Sequence, residues 1–202
     1  MKKITILDRI LLLITGLLAA YQIAVGIGEG LSTVTVWAYT IAFGVLLIAG
    51  LLLIIQGFEI LESPLVVIVS TLIPLSLSLG LVWEYVPSWR TPYLIFVIIG
   101  FFAVAITRFT ASKKVATFTL IPVHGIAGLL IFILPIVMSF RGDMPAGFAL
   151  VGVGGALIGI GGMLLGFLKA GKPILPQNTI LTILPGLLLL MTAAFVIGFS
   201  FA

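Results

Sequence analysis

The sequence predicts an all-α integral membrane protein: a bundle of about seven transmembrane helices, with the N-terminus in the cytoplasm and the C-terminus outside. Three observations predict it. Charged residues make up 8% of the chain and hydrophobic ones 62%, whereas a soluble domain is roughly a quarter charged. Apolar runs free of Asp, Glu, Lys and Arg recur along the whole length, and a helix needs about 20 such residues to cross a hydrocarbon core about 30 Å thick. Lys and Arg collect on one set of alternate junctions between those runs.

The expected spans are approximately residues 10–28, 34–57, 64–85, 91–108, 115–139, 146–168 and 178–201. They form a single polytopic domain over 1–202, because no polar stretch is long enough to be a linker or a second globule. The first run follows a basic start and has the look of a signal peptide, but Leu18 before Ala19 and Ala20 spoils a small-x-small cleavage site, so it is read as a helix. The second run ends ahead of Phe58–Ser63, which carries Glu59 and Glu62. The third holds scattered hydroxyls at Ser70, Thr71, Ser76 and Ser78. It leads into the loop Glu84-Tyr-Val-Pro-Ser-Trp-Arg90, where Glu84 and Arg90 are placed to pair. The fourth run is the shortest. Arg141, Gly142 and Asp143 mark a tight turn before the sixth. Gln22 and Gln56, near helix ends, are read as helix–helix glue. Barrel strands are not expected, since the apolar/polar alternation they need is missing. Helices satisfy the backbone within each segment.

Orientation follows from the basic residues. With the N-terminus inside, the cytoplasmic segments carry Lys2, Lys3, Arg9, Arg108, Lys113, Lys114, Lys169 and Lys172, and the outer loops carry Arg90 and Arg141. That bias places the protein as a multi-pass chain of the cell (plasma or inner) membrane. It also explains the formal charge of +4 as a topology signal rather than a nucleic-acid patch. Trp37, Tyr39, Trp83, Tyr85, Trp89 and Tyr93 all fall near the outer surface, the layer that suits side chains with one apolar and one polar end.

A short pattern recurs on the third, fifth and seventh runs: Thr71-Leu-Ile-Pro74, Thr119-Leu-Ile-Pro122 and Thr182-Ile-Leu-Pro185. It suggests a helical hairpin used three times after a leading helix, with kinks at Pro74, Pro122 and Pro185. Each proline removes a backbone donor, and the threonine three residues earlier is placed to reach a freed carbonyl. Chance recurrence of two residues common in membrane helices is the competing explanation. The sixth run carries Gly152, Gly155, Gly159, Gly162 and Gly166, spaced three, four, three, four. That spacing makes a seam on one helix face, where another backbone can approach closely. The occupant is a neighbouring span, another subunit or a flat ligand.

His124 is the single histidine and the one titratable residue deep in a span, just after Pro122. A group at that depth is a functional candidate. It could ligate a metal or magnesium pigment or hydrogen-bond a quinone, or it could pack neutral against a carbonyl of a neighbouring helix. The sequence requires no cofactor, and one histidine excludes a bis-histidine haem within the chain. The absence of cysteine removes disulfides, thiolate metal sites, iron–sulfur clusters and covalent haem attachment. There is no His-Glu-x-x-His zinc motif and no Gly-x-Ser-x-Gly nucleophile motif. The glycine-rich stretch Gly26-Ile-Gly28-Glu-Gly30 lacks the setting of a phosphate loop. The seventh run has no lysine to carry a Schiff base. No catalytic residue and no metal site is assigned.

These observations point first to a non-catalytic multi-pass subunit of a larger membrane protein complex, with energy-converting assemblies among the candidates, which it would stabilise by helix packing against the bilayer and other membrane subunits. A small solute transporter or channel built from kinked hairpins is the second expectation. A carrier of a pigment, quinone or other membrane cofactor at His124 is the third.

Overall fold

The computed structural model describes residues 2–28, 30–169 and 171–202, without the side chain of Lys113. Glu29 of the glycine-rich loop therefore lies outside the described residues. The described chain is helical throughout: α1 Ile6–Val25, α2 Thr33–Gln56, α3 Pro64–Tyr85, α4 Arg90–Thr110, α5 Lys113–Arg141, α6 Ala149–Lys169 and α7 Gln177–Phe199. Short 3₁₀ turns cover Gly57–Glu62, Pro87–Trp89 and Ala146–Phe148. Among the described residues, seven helices are long and apolar enough to cross a membrane.

Local chemistry moves several boundaries from where hydropathy alone puts them. α1 begins at Ile6 rather than near residue 10, because Thr5 and Asp8 form a capping box that satisfies two otherwise orphaned donors. Asp8 also accepts from Lys2 at 2.8 Å. The same helix stops at Val25, because Gly26 takes a φ of 76° that side-chain-bearing residues avoid. Ser32 and Ser112 cap α2 and α5 through their side chains. Gly142, left-handed at φ 76° and ψ 9°, ends α5, and Asp143 N–H reaches back to the Met138 carbonyl, as a Schellman-type ending requires.

Neighbour by neighbour, the helices close a ring in the order α1, α2, α3, α5, α6, α7 and back to α1. α4 stands outside it, across α3 and α5. The bundle has two distinct ends. At the basic end, Lys2 lies over the Phe58 ring of the turn after α2, and Lys169 at the close of α6 donates to the Leu61 carbonyl of the same turn. At the aromatic end, Phe199 is surrounded by Tyr39 at 4.8 Å, Phe43 at 6.2 Å, Phe148 at 6.3 Å and Phe195 at 6.4 Å between ring centroids. These rings come from α2, α7 and the turn before α6, and they belong to one buried core cluster. Trp37 and Trp89 point outward there, as interfacial residues do. Tyr39 and Tyr93 depart from that expectation: both are buried inside the bundle, where ring packing against Phe199 and Phe96 holds them.

Candidate functional site

The α6 glycines divide between neighbours. A Cβ on Gly152 would stand 2.6 Å from the Phe132 carbonyl oxygen, and one on Gly155 2.8 Å from the Ile131 carbonyl carbon, so both admit the backbone of α5. Gly162 faces the His124 ring, with 3.5 Å between a Cβ there and Nε2. Gly159 and Gly166 meet nothing within 4 Å. Helices α5 and α6 are thus in close backbone contact toward the aromatic end, and their glycines are freer toward the basic end. Sequence reading missed the opposite face of α6. Gly154 and Gly161 receive Phe195 and Leu187 of α7, and Gly198 of α7 admits the Val151 backbone. The spacing of seven between Gly154 and Gly161 is the signal that marks this second face.

His124 sits half-buried on α5. Its Nδ1 is enclosed by protein and has no hydrogen-bond partner, which removes the expectation of a histidine satisfied by a neighbouring carbonyl. The other ring nitrogen, Nε2, lies on the Gly162 side, toward α6. Among the described residues no group of His, Asp or Glu could join it around a metal.

The three Thr–Pro motifs share one local arrangement, but not the expected one. Pro74, Pro122 and Pro185 each lie inside a helix. Thr71 donates to Val67 O at 2.7 Å, Thr119 to Val115 O at 3.0 Å and Thr182 to Asn178 O at 2.7 Å. Each hydroxyl is therefore bonded one turn back on its own helix, not to the carbonyl its proline frees. The motifs differ in setting: Pro74 and Pro185 are buried, while Pro122 is on the outside. A further in-helix proline, Pro135, lies on α5.

Most polar side chains within the spans are used locally. Ser78 donates to Pro74 O at 2.6 Å, and the Tyr93 hydroxyl on α4 donates to Ser78 at 2.8 Å, fastening α4 to α3. Gln22 donates to Gly26 O at 2.6 Å, closing the end of its own helix rather than joining two. Glu84 and Arg90 do not pair. The Glu84 carboxylate accepts from Ser32 N–H and the Thr35 hydroxyl, where the start of α2 offers unsatisfied donors and a positive dipole end. Arg90 turns to the Trp83 carbonyl and ring instead.

Comparison with protein-family models, with curated proteins and with solved structures gave no match.

Proposed function

We propose that the chain is a non-catalytic multi-pass subunit of a larger membrane protein complex, seated with its basic end in the cytoplasm and its aromatic end outside. The observation that carries this reading is the unequal use of helix surface. Only 17% of the apolar centre of α4 and 22% of that of α5 is buried within the chain, against 61% for α3. Phe102, Ile106 and Phe109 on α4 and Phe118, Ile121 and Leu129 on α5 all point away from the bundle. Side chains exposed in this way face whatever surrounds the bundle, and beside lipid another transmembrane helix can pack there by van der Waals contact. The polar groups support the same reading over a solute path. The threonines of the three Thr–Pro motifs and Ser78 are bonded to carbonyls of their own helices, so they are engaged rather than arrayed along a route. Pro122 faces outward, so the three motifs do not converge on one lumen.

Purification of the full chain in mild detergent from its native membrane, followed by mass analysis, tests the proposal. Stoichiometric co-purifying membrane proteins are the expected result. A chain that runs alone under several mild detergents overturns it.

A second reading rests on His124. A buried, unpartnered Nδ1 on a ring whose Nε2 faces the glycine-lined side of α6 suits a flat membrane cofactor hydrogen-bonded or ligated by the imidazole. Absorbance and organic extraction of the same purified fraction test it, with loss of the bound chromophore or quinone in His124→Ala as the expected outcome.

A further inference from the structure

Helices α1 and α2 leave a recess of about 100 Å³ between them on the outside of the bundle. Its lining is apolar throughout, so a water placed there would find none of the two to four polar partners it needs. Glycine makes the recess. Gly50 on α2 faces the Leu12 carbonyl, with 3.6 Å between that oxygen and a Cβ placed on the glycine, and Gly16 on α1 faces the Leu47 side chain at 3.4 Å in the same way. The floor is therefore low, while Leu13, Leu17 and Leu51 stand exposed beside it. One face of α1 leads from this recess to a cation. Leu13, Leu17 and Ala20 line the recess, and Arg9 precedes them at spacings of three and four that keep to a single helix face. Arg9 is exposed. Among the described residues no hydrogen bond or ion pair engages its side chain, since neighbouring Asp8 is taken by Lys2. The positive-inside bias favours a base at this end of the bundle, but it does not choose the face. Helix stability does not choose it either, because a base in the first turn opposes the helix dipole.

We propose that this groove seats one acyl chain of an acidic phospholipid, with the headgroup phosphate on Arg9. Length argues for a lipid chain over a protein helix. The stretch from Arg9 to Ala20 is about 16 Å long at the helical rise of about 1.5 Å per residue, close to half of a hydrocarbon core about 30 Å thick. The groove thus runs the depth of one leaflet from the basic end, whereas a transmembrane helix docked on α1 would cross both. Charge argues for an acidic lipid. A guanidinium offers five N–H donors to phosphate oxygens, and the arginine stem can lie along apolar surface while its head reaches the headgroup layer. Lys3, exposed at the same end, adds to the attraction for a headgroup of net negative charge, which the trimethylammonium of phosphatidylcholine cancels. In the ring of helices α1 lies opposite α5. The groove is therefore clear of the α4–α5 surface of the proposed subunit contact and does not depend on it.

The test is native mass spectrometry of the full chain in non-ionic detergent. Dioleoylphosphatidylglycerol is titrated against dioleoylphosphatidylcholine, and against glycerophosphoglycerol, which is the same headgroup without acyl chains. The expected result is a one-to-one phosphatidylglycerol adduct that survives an excess of either competitor. A cation near the membrane surface contributes about 1 kcal/mol, so Arg9→Gln should weaken the adduct about fivefold, and Arg9→Lys should retain most of it. Ala20→Leu, which fills the recess, should weaken it as well. Arg141→Gln at the opposite end should leave it unchanged. An adduct undiminished in both Arg9→Gln and Ala20→Leu overturns the proposal, and so does displacement by glycerophosphoglycerol, which would mean that the headgroup alone is held. A dimer of this chain that Ala20→Leu dissociates, with no lipid preference, overturns it in favour of a second copy in the groove. If Ala20→Leu does not fold, the wild-type chain and Arg9→Gln decide: no preference for phosphatidylglycerol over phosphatidylcholine, or a preference that Arg9→Gln leaves intact, overturns it.

Discussion

Tyr93 and Ser78 show how a single polar contact positions a helix in an apolar medium. Tyr93 belongs to α4, the helix outside the ring, and its hydroxyl reaches Ser78, which in turn donates to the Pro74 carbonyl. In lipid an unsatisfied hydroxyl has no water to turn to, so the two groups depend on one another. A double-mutant cycle with Ser78→Ala and Tyr93→Phe, read by unfolding in mixed micelles, is expected to give a coupling of about 1 kcal/mol, within the range found for hydrogen bonds between membrane helices. A coupling indistinguishable from zero would mean the contact does not fasten α4. At this scale the sequence was only partly legible. It marked Ser78 as one of several hydroxyls on α3 and Tyr93 as an interfacial ring, and nothing in either pattern joined them. It placed Glu84 and Arg90 as a pair, where the structure gives each a different partner. Opposite charges near in sequence attract, but α2 begins beside Glu84, and its free N–H donors and hydroxyls are the better match.

Helix α6 shows what periodicity can and cannot reveal. Spacings of three and four identify residues that share a face, and Gly152 and Gly155 do share the face toward α5. Periodicity does not say how far along the helix the neighbour stays close. Two of the five seam glycines, Gly159 and Gly166, meet no neighbouring atom within 4 Å, and the contacts to α7 fall on Gly154 and Gly161 instead. The difference has a measurable consequence. Gly155→Ala places a methyl group 2.8 Å from the α5 backbone, which a flexible side chain cannot relieve, and is expected to cost about 2 kcal/mol in chain stability. Gly159→Ala has open space in a helix interior, and is expected to leave stability unchanged or raise it by up to about 1 kcal/mol. Unfolding of both variants in mixed micelles checks the contrast, and equal losses would show that the seam does not divide as described. The helices themselves were legible because lipid requires long apolar runs. Their ends were not, because Thr5, Asp8 and Gly26 set them through hydrogen bonds and a positive φ that hydropathy does not register.

The whole molecule is a ring of six helices with a seventh outside, and its two ends differ in chemistry. Lys2, Arg108 and Lys169 gather at one end with the turn after α2, while exposed Trp37 and Trp89 and the cluster around Phe199 occupy the other. The proposed orientation, from the positive-inside bias, puts the first end in the cytoplasm. That assignment is open to a clean test because the chain has no cysteine, so any introduced thiol is the sole target of a maleimide. Ser88, in the turn between α3 and α4, and Gln177, at the start of α7, are both exposed and lie at opposite ends. Neither makes a hydrogen bond through its side chain that a substitution would remove. In intact cells, Ser88→Cys is expected to react with a membrane-impermeant maleimide, and Gln177→Cys only after permeabilisation. The reverse pattern would place the N-terminus outside and would move Arg108 and Lys169 to the outer leaflet with it. Labelling of both sites from one side would break the ring, because α4, α5 and α6 together carry the chain across an odd number of times between the two positions.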